Sequence, residues 1–293
     1  MKQIDVTSIN INEYFGAIDI ENIKTKLSDA KYHTITNDLE NIIKADLNTI
    51  KNDYLALSND YSPPELKEIE KAFNYTAHRK KVKFMKYFKQ LNIKSCPFCN
   101  NNYVYFYAEG AKKFNTLSTL EHYYPKAKYP HLSLSFYNLI PSCSTCNSKF
   151  SGSDSHIGNI HHPYYEDFNE KAQFIVSVDS LPFHKSIELS ITLNSSDDRC
   201  KKSINRFQLD KIYTQHNDIA QEIWNKAQVY NDSRIDELYE SFYKNLGYSK
   251  EEVKNMIFCN YLDQKDINKR NHAKLTQDIL KQFDLKDEKK LGF

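Results

Sequence analysis

Apolar residues recur at three- and four-residue spacing over Ile20 to Leu27, His33 to Leu47 and Leu66 to Leu91, with no internal proline. That periodicity predicts a helical N-terminal region over residues 1–90. Ser62-Pro63-Pro64 is a helix start signal, and Glu65 and Glu68 suit the positive end of the dipole that follows. From Cys96 onward the period changes. Tyr103 to Ala108 is aromatic and β-branched, as a strand requires, and Leu117 to Tyr123 and Tyr137 to Ser142 read as two further short strands. Pro125 and Pro130 mark a loop between the last two, and a helix is expected to begin around Thr145.

Residues 151–159, rich in Gly and Ser, predict a loop that ends at His161-His162-Pro163-Tyr164. Phe174 to Val178 and Ile187 to Leu193 predict an antiparallel pair around Leu181-Pro182. Helical periodicity returns after Asp197, at Asp210 to Val229, Ser233 to Lys244, Lys250 to Tyr261 and Asp266 to Leu285. The expected fold class is α+β. A mixed core over residues 91–165 is flanked by helices at 1–90 and by a region, 166–293, that opens with a small β-hairpin and continues as helices.

Composition narrows the function classes. With 40 cations against 38 carboxylates the chain carries a net charge of only +2, so it is not a general polyanion binder and any nucleic-acid contact must come from local patches. One such patch is Arg79, Lys80, Lys81, Lys83, Lys86 and Lys89, interleaved with Phe84, Tyr87 and Phe88; it suits either a helix C-terminus or a phosphate backbone. The longest apolar run, Tyr103 to Ala108, is too short to span a bilayer. The first residues show no basic stretch leading into an apolar run, so a cytoplasmic location without membrane association is expected.

Location bears on the six cysteines. In a reducing cytosol, thiols at metal spacing are zinc ligands more often than disulfides. Cys96-Pro-Phe-Cys99 and Cys143-Ser-Thr-Cys146 have that spacing and are expected to form a four-thiolate structural zinc site, a closed shell that would hold the fold and could not activate water, with disulfides or free buried thiols as the alternatives. Cys200 and Cys259 stand alone and are expected to be small buried residues.

Between the pairs sits Glu121-His122, and Asn147 follows the second pair directly. A histidine can take a proton from water near neutral pH, and a carboxylate is a hard oxygen ligand for magnesium or manganese. The Asn147 amide oxygen offers a second ligand. Neighbours on a strand point to opposite faces, so Glu121 and His122 can share a site only at a strand end or a bulge. Such a cation, with waters completing its shell, stabilises charge on a scissile phosphate while the histidine activates the attacking water.

Residues Cys96 to Lys149 resemble the HNH endonuclease family. The resemblance implies a ββα-metal core, two strands and a helix around one metal, in the branch of the family that a four-cysteine zinc site stabilises. It implies that His122 is the general base, that Glu121 and Asn147 bind the catalytic metal, and that Asn138, in Tyr137-Asn138-Leu139-Ile140-Pro141, steadies the loop carrying the histidine. Glutamate stands at position 121 where the wider family more often has aspartate. His122-Tyr-Tyr-Pro125-Lys126 and His162-Pro163-Tyr164 are similar to HNH proteins of bacterial anti-phage systems, such as the HNH subunit of Septu-type defence and effectors that accompany retrons. That similarity implies DNA as substrate and an ATPase as partner.

Lys126, Lys128, Lys149 and His162 are the candidate phosphate contacts around the site, with His156 a weaker one. Each residue has a plainer reading: a satisfied structural His122, a turn-closing Asn138, a capping Asn147 and solvated lysines. Two rival functions fit the same residues. One is a zinc-ribbon module that binds nucleic acid or protein without cutting; the other is an RNA-cleaving toxin using the same residues.

Overall fold

Short polar side chains set the helix boundaries of the N-terminal half in the computed structural model, which describes residues 1–109, 113–116, 118–149, 158–180 and 188–284. Asn10 accepts from the amides of Asn12 and Glu13 to start α1 (Ile11–Gly16), and Asp19 accepts from Asn22 to start α2 (Ile20–Lys26). α3 (His33–Asn37) and α4 (Leu39–Lys44) divide an expected single helix at Asp38, whose φ of −107° leaves the helical region. α5 (Leu47–Thr49) runs into a π-turn at Ile50–Tyr54. Ser62 and Glu65 close a capping box on α6 (Pro63–Phe73).

The long helix expected over 66–91 is three helices. Asn74 takes a left-handed φ of 45°, which asparagine tolerates better than most residues, and ends α6. Its side chain then accepts from Ala77 N and starts α7 (Tyr75–His78), and α8 (Val82–Gln90) follows. β1 (Phe106–Glu109) pairs antiparallel with β2 (Lys113–Thr116), a strand the periodicity does not announce. β3 (Thr119–His122) pairs antiparallel with β4 (Leu139–Ser142), and α9 (Ser144–Lys149) follows close behind.

These elements form one unit of the chain, residues 4–93 with 104–164. Its core is aromatic. The Tyr14 ring of α1 lies 5.4 Å from Phe84 of α8 and 5.2 Å from Phe136, and Phe136 stacks on Tyr164 at 5.6 Å with an interplanar angle of 8°. Tyr14 donates its hydroxyl to Leu134 O at 2.9 Å, and Tyr164 donates to Leu139 O at 2.6 Å, so two buried phenols are satisfied by main chain. Phe84, Tyr87 and Phe88, the aromatics interleaved with the lysines, all point into this core.

The second unit comprises residues 1–3, 94–103 and 165–293. It holds α10 (Phe168–Lys171), the antiparallel pair β5 (Ala172–Ser180) and β6 (Glu188–Ser195), and then α11 (Asp198–Phe207), α12 (Leu209–Tyr213) and α13 (Asn217–Val229). α14 (Asp232–Ser241), α15 (Lys250–Ile257) and α16 (Ala273–Asp284) complete it. The hairpin is where the alternation places it, although its turn at Leu181-Pro182 lies outside the described residues. The helix expected from Asp266 is interrupted, because Arg270 is extended and His272 sits at φ 58° before α16 begins.

α16 protects the free edge of β5. Asp278 Oδ2 accepts from Phe174 N at 2.9 Å, and Gln282 accepts from Val176 N at 3.1 Å and donates to Phe174 O at 3.2 Å. Asp278 also pairs with Lys274 at 2.8 Å, and both side chains are buried. Among the described residues, no helix is long and apolar enough to cross a membrane.

Candidate metal and catalytic site

The two cysteine pairs meet. The sulfurs of Cys96, Cys99, Cys143 and Cys146 all lie within 4.8 Å of one another, and all four residues are buried. Zinc bound to sulfur at about 2.3 Å sets tetrahedral sulfurs roughly 3.8 Å apart, so this cluster fits such an ion with little adjustment. Main-chain amides support the thiolates: Asn101 N approaches Cys99 Sγ at 3.4 Å, and Cys146 N approaches Cys143 Sγ at 3.4 Å.

Asn100 is a site residue that spacing alone does not reveal. It takes φ 50°, and its fully buried side chain donates to Ser95 Oγ (3.0 Å), Ile267 O (2.9 Å) and Arg270 O (3.1 Å) while accepting from Lys274 N (3.0 Å). The signal was an asparagine directly after a C-x2-C pair, a residue type suited to the left-handed turn that closes such a knuckle.

β3 carries the Glu121-His122 pair to its end. In the register with β4, Glu121 stands opposite Ile140 and His122 opposite Leu139, and His122 is the last residue of the strand. The His122 ring packs edge-on against Tyr75, with centroids 4.5 Å apart, and its Nε2 bonds the carbonyl of Ser133 at 3.2 Å. A carbonyl only accepts, so Nε2 holds the hydrogen and the lone pair resides on Nδ1. Burial lowers the imidazole pKa to about 4, against the pull of the Ser133 carbonyl, and the cations of Lys126 and Arg79 push it the same way. The ring is therefore neutral at physiological pH. The Glu121 side chain is 5% exposed, and its charge is felt by the Tyr75 phenol.

Asn138 is fully buried and ties down the segment after His122. Its Oδ1 accepts from Tyr124 N at 2.7 Å, and its Nδ2 donates to Tyr124 O at 3.1 Å and to Leu132 O at 3.0 Å. Asn147 lies within α9, half-buried, with its amide bonded to Cys143 O at 3.1 Å, so it does not cap the helix. α9 packs against β3, the strand that bears Glu121 and His122.

The candidate phosphate contacts are differently placed. Lys126 is engaged with Glu70 at 2.6 Å. Lys128 is exposed, 5.5 Å over the Tyr129 ring. His162 is fully buried, its Nε2 bonded to Tyr137 O at 2.9 Å and its Nδ1 accepting from Tyr164 N at 3.2 Å. Both ring nitrogens serve the main chain, so His162 has no nitrogen left for a phosphate and is a structural residue. His156 and the Lys149 side chain lie outside the described residues. Cys200 is buried as expected, its thiol pushed up to about 12 by that burial. Cys259 is not: it is exposed, at φ 52° just past the end of α15.

No protein-family model, no curated protein and no solved structure matches this chain.

Proposed function

We propose that the protein is a metal-dependent HNH-type endonuclease that hydrolyses phosphodiester bonds, with DNA as its substrate. The observation that carries this reading is the state of His122. Its imidazole is neutral, fixed by the Ser133 carbonyl on Nε2, and retains a lone pair on Nδ1 at the end of a strand against which α9 packs. A general base for water needs an unprotonated ring with an available lone pair, which this arrangement supplies, although a pKa of about 4 makes the ring a weak base. The order β3, β4, α9 supports a ββα-metal core, and the bonds of Asn138 to Tyr124 and Leu132 support its assigned role in steadying the loop.

Glu121 and Asn147 are the residues that would hold a catalytic magnesium or manganese. One carboxylate and one amide oxygen is the kind of donor set magnesium accepts, since it keeps several waters of its own. Bound there, the ion would supply charge stabilisation to the phosphate and to the leaving oxygen. The chain's own part is to orient the His122 ring, hold its proton on Nε2 and leave Nδ1 to take one from water. The four cysteines would carry a structural zinc ion. The resemblance to anti-phage HNH proteins supports a role in defence alongside an ATPase.

Plasmid DNA incubated with the purified protein, in magnesium and separately in chelator, tests the proposal. Cleavage confined to the magnesium arm is expected. Intact plasmid in magnesium or manganese would leave the zinc-bearing binding module as the better reading.

A further inference from the structure

The geometry points to a stacking platform for single-stranded nucleic acid on the exposed tyrosines at the entry to β1. Along residues 103–107 exposure alternates: Tyr103, Tyr105 and Tyr107 are 41%, 49% and 43% exposed, while Val104 is 3% exposed. Tyr107 lies in β1 and Tyr105 stands two residues before it, at the strand's entry, where strand geometry would set the two side chains on one side, about 6.8 Å apart. Successive bases on one strand of a duplex rise by only about 3.4 Å. Rings at twice that interval match bases of a strand that has been drawn out and unstacked, and a duplex keeps its base faces covered. Aromatic rings bind such bases through faces that every base possesses, without reading sequence.

Charge beside the platform suits the same ligand. Between Lys71 and Ile93 the chain has seven cations (Lys71, Arg79, Lys80, Lys81, Lys83, Lys86 and Lys89) and no carboxylate, in a protein whose net charge is +2. With Phe84, Tyr87 and Phe88 buried, α8 turns Lys83, Lys86 and Lys89 outward, and it packs beside β2, the partner of β1. Ser118 joins the two features. Its hydroxyl accepts from Tyr105 N, and its carbonyl accepts from Arg79 Nη2 at 3.1 Å. Four residues further along the same strand segment is His122. The tyrosines would hold bases, the α8 lysines would neutralise phosphates, and a strand so held would run toward the proposed base. The inference rests on the nuclease reading for that direction only; the binding stands apart from it.

Fluorescence anisotropy tests it, with labelled oligothymidylate and a duplex of equal length, in chelator so that no cleavage intervenes. The wild-type protein is expected to bind the single strand at least tenfold more tightly than the duplex. Tyr105→Ala and Tyr107→Ala should each weaken single-strand binding about tenfold, and Tyr105→Phe should retain it. Lys83→Glu with Lys86→Glu should flatten the dependence of log affinity on log salt by about 1.4, the share of two phosphates. Unchanged zinc content and melting temperature in the tyrosine variants would exclude misfolding. No single-strand binding by the wild type, equal or tighter duplex binding, or alanine variants that bind like the wild type would each overturn the inference. Binding as expected without cleavage in magnesium would leave the platform standing and remove the nuclease reading.

Discussion

Asn138 treats the main chain of Tyr124 as a strand partner, accepting from its N–H at 2.7 Å and donating to its C=O at 3.1 Å. A third bond, to Leu132 O, lets one buried side chain span the segment between His122 and Ser133. Asn138→Leu fills similar volume and removes all three of these bonds, leaving Leu132 O its bond from Ser135 N, so a loss of about 2–4 kcal/mol in urea unfolding is expected. Asn138→Asp should be at least as damaging, because a carboxylate would face two carbonyl oxygens. Wild-type stability in either variant would show that the segment is held elsewhere.

His122→Ala is expected to lower DNA cleavage by a factor on the order of 10²–10⁴, the usual contribution of a general base. Zinc content should be retained and unfolding should remain cooperative. Robust plasmid cleavage by this variant would remove His122 from the mechanism.

Cys96→Ser and Cys143→Ser should release zinc to a chromogenic chelator and broaden the thermal transition. Coordination of this type contributes roughly 10–16 kcal/mol, more than the net stability of most domains. A serine variant as stable and as metal-loaded as the wild type would count against the four-sulfur clamp.

Acid should weaken the fold through buried histidines. His78 Nε2 accepts from Asp19 N at 3.2 Å and Nδ1 bonds Asn74 O at 3.1 Å, an arrangement that needs a neutral ring, and burial lowers its pKa. His131, fully buried with Nε2 on Tyr54 O at 2.9 Å, is lowered to about 4 by the same cause. In the unfolded chain both rings bind protons near pH 6.5, and in the folded chain they refuse them. Stability should therefore be full above that pH and fall as pH drops toward 4, each histidine adding at most about 1.4 kcal/mol per pH unit to the slope. His78→Gln should flatten the urea midpoint between pH 6.5 and 5; an unchanged slope would show that His78 does not report this linkage.

The sequence made some of this arrangement readable and hid the rest for identifiable reasons. Short apolar runs located β3 and β4, which are buried along most of their length, and alternation located the β5–β6 hairpin, which has one apolar face to bury. Cysteine spacing located the metal cluster, because ligand chemistry allows few alternatives. Periodicity overran Asp38, Asn74 and His272, where a single residue leaves the helical region while the apolar spacing continues across it. It could not tell that Phe84, Tyr87 and Phe88 belong to the core and the lysines between them to solvent, since a mixed stretch reads alike for both. Asn100 shows in the sequence only as a turn-former after a cysteine pair, because its partners Ile267 O and Arg270 O are remote, and Ser133 acts through a main-chain carbonyl that its residue type does not report.

The turn at Asn100 also dictates when this protein can finish folding. Ser95 bonds Asn271 across 176 residues, and the Asn100 side chain reaches Ile267 O across 167. A growing chain emits the knuckle long before the residues that receive it, so its buried amide must wait, solvated, until residues 267–274 have been made. Closing so distant a pair costs loop entropy before any packing returns it, so this contact is expected to form late.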